Sequence, residues 1–133
     1  MNKKNHFLFE VVILLILWGF IEKIKLGMII LPIFWGALFS DFDHQFKSHR
    51  NILFHSIIPN FLVWLYNPSM ENIVFILSVS IHLFVDLLPM MKKKGGYSCI
   101  DFFGLSRMNT KWSMIWLSMN IIIGSSILIF TVI

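Results

Sequence analysis

From Trp112 to Ile133 the chain carries no charged side chain, and between Asn72 and Met90 the only Asp, Glu, Lys or Arg is Asp86. A helix needs about 20 largely apolar residues to cross a hydrocarbon core about 30 Å thick. The first of these stretches is long enough by itself and the second nearly so. In lipid every backbone N–H and C=O must be satisfied internally, so stretches of this kind leave helix as the economical solution. Three shorter apolar segments, Phe7–Ile21, Leu26–Phe39 and Ile52–Tyr66, precede them. Each is marginal alone and becomes credible in a bundle, where neighbours shield short or kinked helices. Pro32 and Pro59 lie inside the second and third segments, where a proline removes a helix hydrogen bond and kinks the helix.

Composition agrees with a membrane protein. Of the 133 residues, 57% are hydrophobic and 14% charged, against roughly a quarter charged in soluble domains. The expectation is an all-α fold, a multi-pass transmembrane bundle of about five helices forming one integral membrane domain over residues 1–133. The net charge of +4 is read as a topology signal and not as a nucleic-acid footprint. Cys99 is the single cysteine, so no disulfide can form within the chain. The first 20 residues resemble a signal peptide in charge and length, but no small-residue cleavage site follows the apolar stretch, so they are read as a retained first helix.

Cytoplasmic loops of membrane proteins are enriched in Lys and Arg. If all five segments span and the N-terminus is cytoplasmic, Lys3, Lys4, Lys47, Arg50, Lys92, Lys93, Lys94, Arg107 and Lys111 lie inside, and only Lys23 and Lys25 outside. This orientation predicts a second feature. His6, the loop with Asp41, Asp43, His44 and His49, His55 one turn into the third helix, and His82 with Asp86 in the fourth all gather toward the cytoplasmic face.

Three short motifs carry that polarity. In "IHLFVD", His82 and Asp86 are spaced i, i+4 and project from one helix face. An imidazole and a carboxylate so placed can share one ion, or the carboxylate can orient the imidazole; the plainer reading is a polar pair joining two helices. An Asp within a transmembrane helix costs on the order of 3 kcal/mol near the centre and needs a partner or a task. "DFDH", Asp41 to His44, could converge on a divalent cation, or could simply turn the chain and cap a helix. "SHRNILFHS" adds His49 and His55. Imidazoles suit zinc and other first-row metals and carboxylates suit harder ions, so a mixed set is typical of hydrolytic centres. Arg50 is read first as a membrane-surface anchor and second as a bidentate partner for a phosphate. Glu10, Asp101, Ser56 and the run Lys92–Lys94 are assigned no site role.

Taken in order, "NHFLF", "GALFSDFDH", "HRNILFHS" and "SIHLFVD" resemble the membrane-bound metal-dependent hydrolases, also described as LexA-binding inner-membrane hydrolases. The pattern of that family is an early His, a small-residue helix ending in PDIDH, then HRG-x-THS, then SH-x-x-x-D. The resemblance covers residues 6 to 90. It implies that His6, Asp41, Asp43, His44, His49, His55, His82 and Asp86 are the metal set, with Asp43 and Asp86 as catalytic carboxylates and one or two divalent ions, zinc foremost. It also implies a bacterial inner-membrane location. Ser40 stands where the family has proline, Asn51 where it has glycine and Phe54 where it has threonine, and one extra residue separates His49 from His55. No LexA-binding part is carried over.

The expected function is therefore hydrolysis of an ester or phosphoester, with membrane lipid as partner and a lipid-linked substrate suggested by the interfacial site. The alternatives are a non-catalytic membrane protein with a structural ion, and an ion transporter. The transporter would need polar residues continuing to the outer face, and few are present.

Overall fold

The computed structural model describes residues 8, 11–13, 15, 26–42, 50–92, 99–102 and 105–132. Among them the chain is mostly helical. Leu8, Val11, Val12, Ile13 and Leu15 are helical residues within the first apolar segment. Four helices follow: α1 (Leu26–Asp41), α2 (Ile58–Tyr66), α3 (Met70–Lys92) and α4 (Thr110–Val132). Between α3 and α4, β1 (Asp101–Phe102) and β2 (Ser106–Arg107) form a small antiparallel pair, Asp101 opposite Arg107 and Phe102 opposite Ser106. This hairpin is an addition to the all-helical expectation.

Local chemistry caps the starts of the two longest helices. Ser69 Oγ accepts from Asn72 N ahead of α3, and Glu71 sits in the first turn of that helix, where negative charge complements the helix dipole. Asn109 Oδ1 accepts from Trp112 N and caps α4 in the same way. The start of α2 departs from expectation. The helix begins at Ile58, with Pro59 in its first turn, where a missing N–H costs nothing and the fixed φ suits the helix. Pro59 therefore starts this helix and does not kink it. His55 lies in the turns before α2, not one turn inside it.

Helix α3 is the hub. Its face carrying Val74, Leu77, Ile81 and Val85 packs with Ile33 of α1, joined by Val11 and Ile13. Its opposite face, Val79, Leu83 and Leu87, packs with Ile57, Ile100 and Leu117. Small residues permit the close approaches, as is common between membrane helices. Gly36 of α1 lies so near α3 that an added Cβ would stand 2.5 Å from Ser78 Cβ, and one on Gly124 of α4 would stand 2.0 Å from Ser80 Oγ. The hydroxyls are paired with carbonyls: Ser78 Oγ donates to Ile33 O and Ser80 Oγ to Ile76 O. Spacing along the helix places Ser78, His82 and Asp86, at i, i+4 and i+8, in a stripe between the two apolar faces.

Two helices are long and apolar enough to cross a membrane, over Met70–Leu88 and Thr110–Thr131. They differ in surroundings: the apolar window is 67% buried in α3 and 18% in α4. Helix α4 turns inward a narrow stripe of Ser113, Leu117, Asn120 and Gly124, and leaves Ile115, Met119, Ile122, Ile123, Ile129 and Phe130 exposed. A continuous apolar face of that extent calls for lipid or another apolar surface. Helix α1 has 16 residues and α2 nine, or roughly 24 and 14 Å at about 1.5 Å per residue. Of the five expected spans, then, α3 and α4 have the length, and α2 is well short of it.

Candidate metal centre

Residues 50–57 bring the site together, and their backbone is held from both sides. Arg50 takes a positive φ of 66°, a left-handed conformation uncommon for a residue with a Cβ. The surrounding bonds enforce it. Asp101 N donates to Arg50 O and Ile52 N donates to Asp101 O, so Asn51 and Asp101 form a parallel bridge. His55 N then donates to Asn51 O, and Leu53 N to Asn51 Oδ1. Position 51, where the resemblance expects glycine, needs no glycine-like freedom, because the left-handed residue is its neighbour.

Arg50 Nη2 donates to Asp86 Oδ1 at 2.8 Å, with the two side chains 12% and 9% exposed. This charge-assisted bond takes the outer carboxylate oxygen. Asp86 Oδ2 points the other way, 3.1 Å from His55 Nε2 and 3.8 Å from His82 Nε2. The two imidazole rings meet edge to face, with centroids 5.8 Å apart. His55, His82 and Asp86 are all buried, at 2%, 2% and 6% exposure. The carboxylate in α3 thus has a cation on one oxygen and two imidazoles on the other, which answers the cost of placing it in an apolar helix.

These three side chains could hold a metal ion. One ligand atom from each lies within 4.8 Å of the others. Around a tetrahedral ion at about 2.0–2.1 Å, donor atoms stand roughly 3.3–3.4 Å apart. The observed 3.1 and 3.8 Å bracket that value. The donor chemistry also fits: two imidazoles and one carboxylate suit zinc with one position left open, and equally suit ferrous iron. Arg50 on Asp86 Oδ1 is the kind of outer partner that fixes the orientation of a ligating carboxylate.

Of the eight residues named from sequence, the structure brings His55, His82 and Asp86 together. Asp41 is the last residue of α1, so it closes a helix and does not stand in a loop. His6, Asp43, His44 and His49 lie outside the described residues. Arg50 sits in the site as the partner of Asp86, and not as the surface anchor that was its first reading.

Sequence reasoning missed the residues that frame the site from the C-terminal third. Trp116 Nε1 donates to His55 O at 3.1 Å. Asn120 Oδ1 accepts from Ser56 Oγ at 3.0 Å and from Ile57 N at 2.9 Å, and its Nδ2 donates to Trp116 O. Ser113 Oγ accepts from Ile100 N, beside the buried Asp101. Asn120 Oδ1 accepts the N–H of Ile57, the N-cap of α2, as the N3 side chain of a capping box would, and Ser56 Oγ accepts the N–H of Ile58. A polar residue inside an otherwise apolar span was the available signal. No family model matches the chain, and no match is found among curated proteins or solved structures.

Proposed function

We propose that this protein is an integral membrane protein whose buried His55, His82 and Asp86 bind a divalent cation, and that the centre hydrolyses an ester or phosphoester bond. The observation that carries the reading is the convergence of two imidazole nitrogens and a carboxylate oxygen within 4.8 Å at a buried point of an apolar helix bundle. Zinc is the first candidate, since such a donor set leaves it a position for substrate or water. Bound there, the ion would supply Lewis-acid polarisation of the scissile carbonyl or phosphoryl oxygen.

The side chains themselves do the positioning. Arg50 fixes Asp86 through Oδ1 and keeps Oδ2 directed at the imidazoles. Burial of all three donors excludes bulk water and strengthens every charge interaction among them. The resemblance supports adding His6, Asp41, Asp43, His44 and His49 as further ligands or as the acid and base, with Asp43 the second catalytic carboxylate. The basic-residue bias supports a cytoplasm-facing site with the N-terminus inside, in the inner membrane of a bacterium. An interfacial site, where the basic-residue bias would put it, would favour a lipid-linked substrate.

One observation favours a second reading. The Arg50–Asp86 ion pair, with His55 on the remaining oxygen, can staple the 50–57 segment to α3 with or without an ion. The two readings separate by experiment. Elemental analysis of the detergent-purified protein should find a divalent metal that His55→Ala, His82→Ala and Asp86→Asn each deplete. Those variants should lose turnover of ester and phosphoester substrates while keeping their fold. Metal content that stays sub-stoichiometric after reconstitution would remove the metal centre. Metal present with no turnover by wild type on a broad panel would leave the staple.

A further inference from the structure

We infer that Asn120, on the C-terminal helix, is a positioning residue of the metal centre that acts through His55. The inference rests on the metal-binding reading above and extends it to a part of the chain that contributes no metal ligand.

His55 precedes α2 and sits outside regular structure, so no helix of its own fixes its backbone. Its position is set by what holds residues 55–57. From the N-terminal side His55 N donates to Asn51 O. On the other side α4 supplies three. Trp116 Nε1 donates to His55 O, and Asn120 Oδ1 accepts from both Ser56 Oγ and Ile57 N. Asn120 is 4% exposed, and its amide is in turn anchored on Trp116 O. Trp116 and Asn120 are one turn apart, so the pair grips three consecutive residues from a single helix face.

The grip also orients the imidazole. Ser56 Oγ accepts from Ile58 N while donating to Asn120, so turn, cap and clamp share one network. Shifting the His55 backbone by a fraction of an ångström would move Nε2 off the 3.1 Å approach to Asp86. Replacing Asn120 with an apolar residue leaves the Ser56 hydroxyl and the Ile57 amide without that acceptor in a buried place, and the turn must move to find others. His82 and Asp86 ride on α3, outside the three residues that α4 grips.

The test is a Co²⁺ titration of the full-length protein in detergent, reading both affinity and the visible absorption that reports the ion's ligand field. Three variants are compared with wild type: Asn120→Leu, Trp116→Phe and, as a control for damaged helix packing, Gly124→Ala. Asn120→Leu should weaken Co²⁺ by about 10–100-fold, the usual range for a residue that orients a ligand, and shift the absorption bands. Trp116→Phe should weaken it by about 3–10-fold, the equivalent of one hydrogen bond. Gly124→Ala crowds Ser80 and removes none of the hydrogen bonds to residues 55–57, so it should disturb Co²⁺ affinity and bands clearly less than Asn120→Leu does. The inference is overturned if Asn120→Leu binds and absorbs like wild type, or if Gly124→Ala moves affinity and bands as far as Asn120→Leu does. Should Asn120→Leu fail to fold, Trp116→Phe against Gly124→Ala decides on the same terms. A wild type that takes up no Co²⁺ overturns the metal-binding reading itself, an outcome distinct from any difference among the variants.

Discussion

The Arg50–Asp86 pair can be tested without reference to any ion. The perturbations are Arg50→Met and Asp86→Asn, made singly and together; each removes a charge and roughly keeps the volume. At 2.8 Å and an effective dielectric of about 20, two unit charges attract by roughly 6 kcal/mol. Desolvation of both groups offsets most of that, so the pair's net worth is small. Removing one partner is different, because the surviving charge stays buried: Arg50 and Asp86 side chains are 12% and 9% exposed. That situation costs about 3–5 kcal/mol. Because the amide oxygen introduced by Asp86→Asn could still accept a weaker bond from Arg50, the lower half of that range is expected for this variant. The double variant removes both members of the pair, so it should be less destabilised than the sum of the singles by about 2–3 kcal/mol. Equilibrium unfolding in mixed micelles measures all four corners of the cycle. Single costs below about 1 kcal/mol that add within about 0.5 kcal/mol would refute the argument, since two charges so placed cannot be independent.

Gly36→Ala should destabilise more than Gly124→Ala, by about 2–3 against about 1 kcal/mol, because the new Cβ meets Ser78 Cβ and Phe75 O in one case and a rotatable hydroxyl in the other; Ser78→Gly should recover much of the Gly36→Ala loss in the same unfolding assay. If α3 and α4 both span, reporters fused after Asn67 and after Ile133 should read the same side of the membrane, and opposite readings would show that one of the two helices does not cross. Chelator should abolish turnover with little change in unfolding midpoint if the centre is catalytic, whereas a structural ion would carry folding energy and its removal would melt the bundle.

The apolar stretches determined where the long helices run: α3 and α4 extend two residues beyond the expected segments at their N-termini, and the caps Ser69 and Asn109 are the residue types that stop a chain from being helical any earlier. The i, i+4 spacing determined that His82 and Asp86 share a face, since helical geometry alone fixes it. Other features depended on tertiary structure. Whether Pro59 breaks a helix or starts one turned on where the residues before it were held, and Asn120 holds them from 63 positions away. Arg50 looks like a surface anchor until its left-handed backbone, imposed by pairing with Asp101, turns the guanidinium toward Asp86. Asn120 stands out only as an amide within an apolar span, and nothing local to it or to Asp101 tells which distant segment each one binds. Periodicity and composition are properties of one segment and are legible along the chain. A site made of hydrogen bonds between segments belongs to their packing, and residues 50–57, without a regular element of their own, take their conformation from α3, the hairpin and α4.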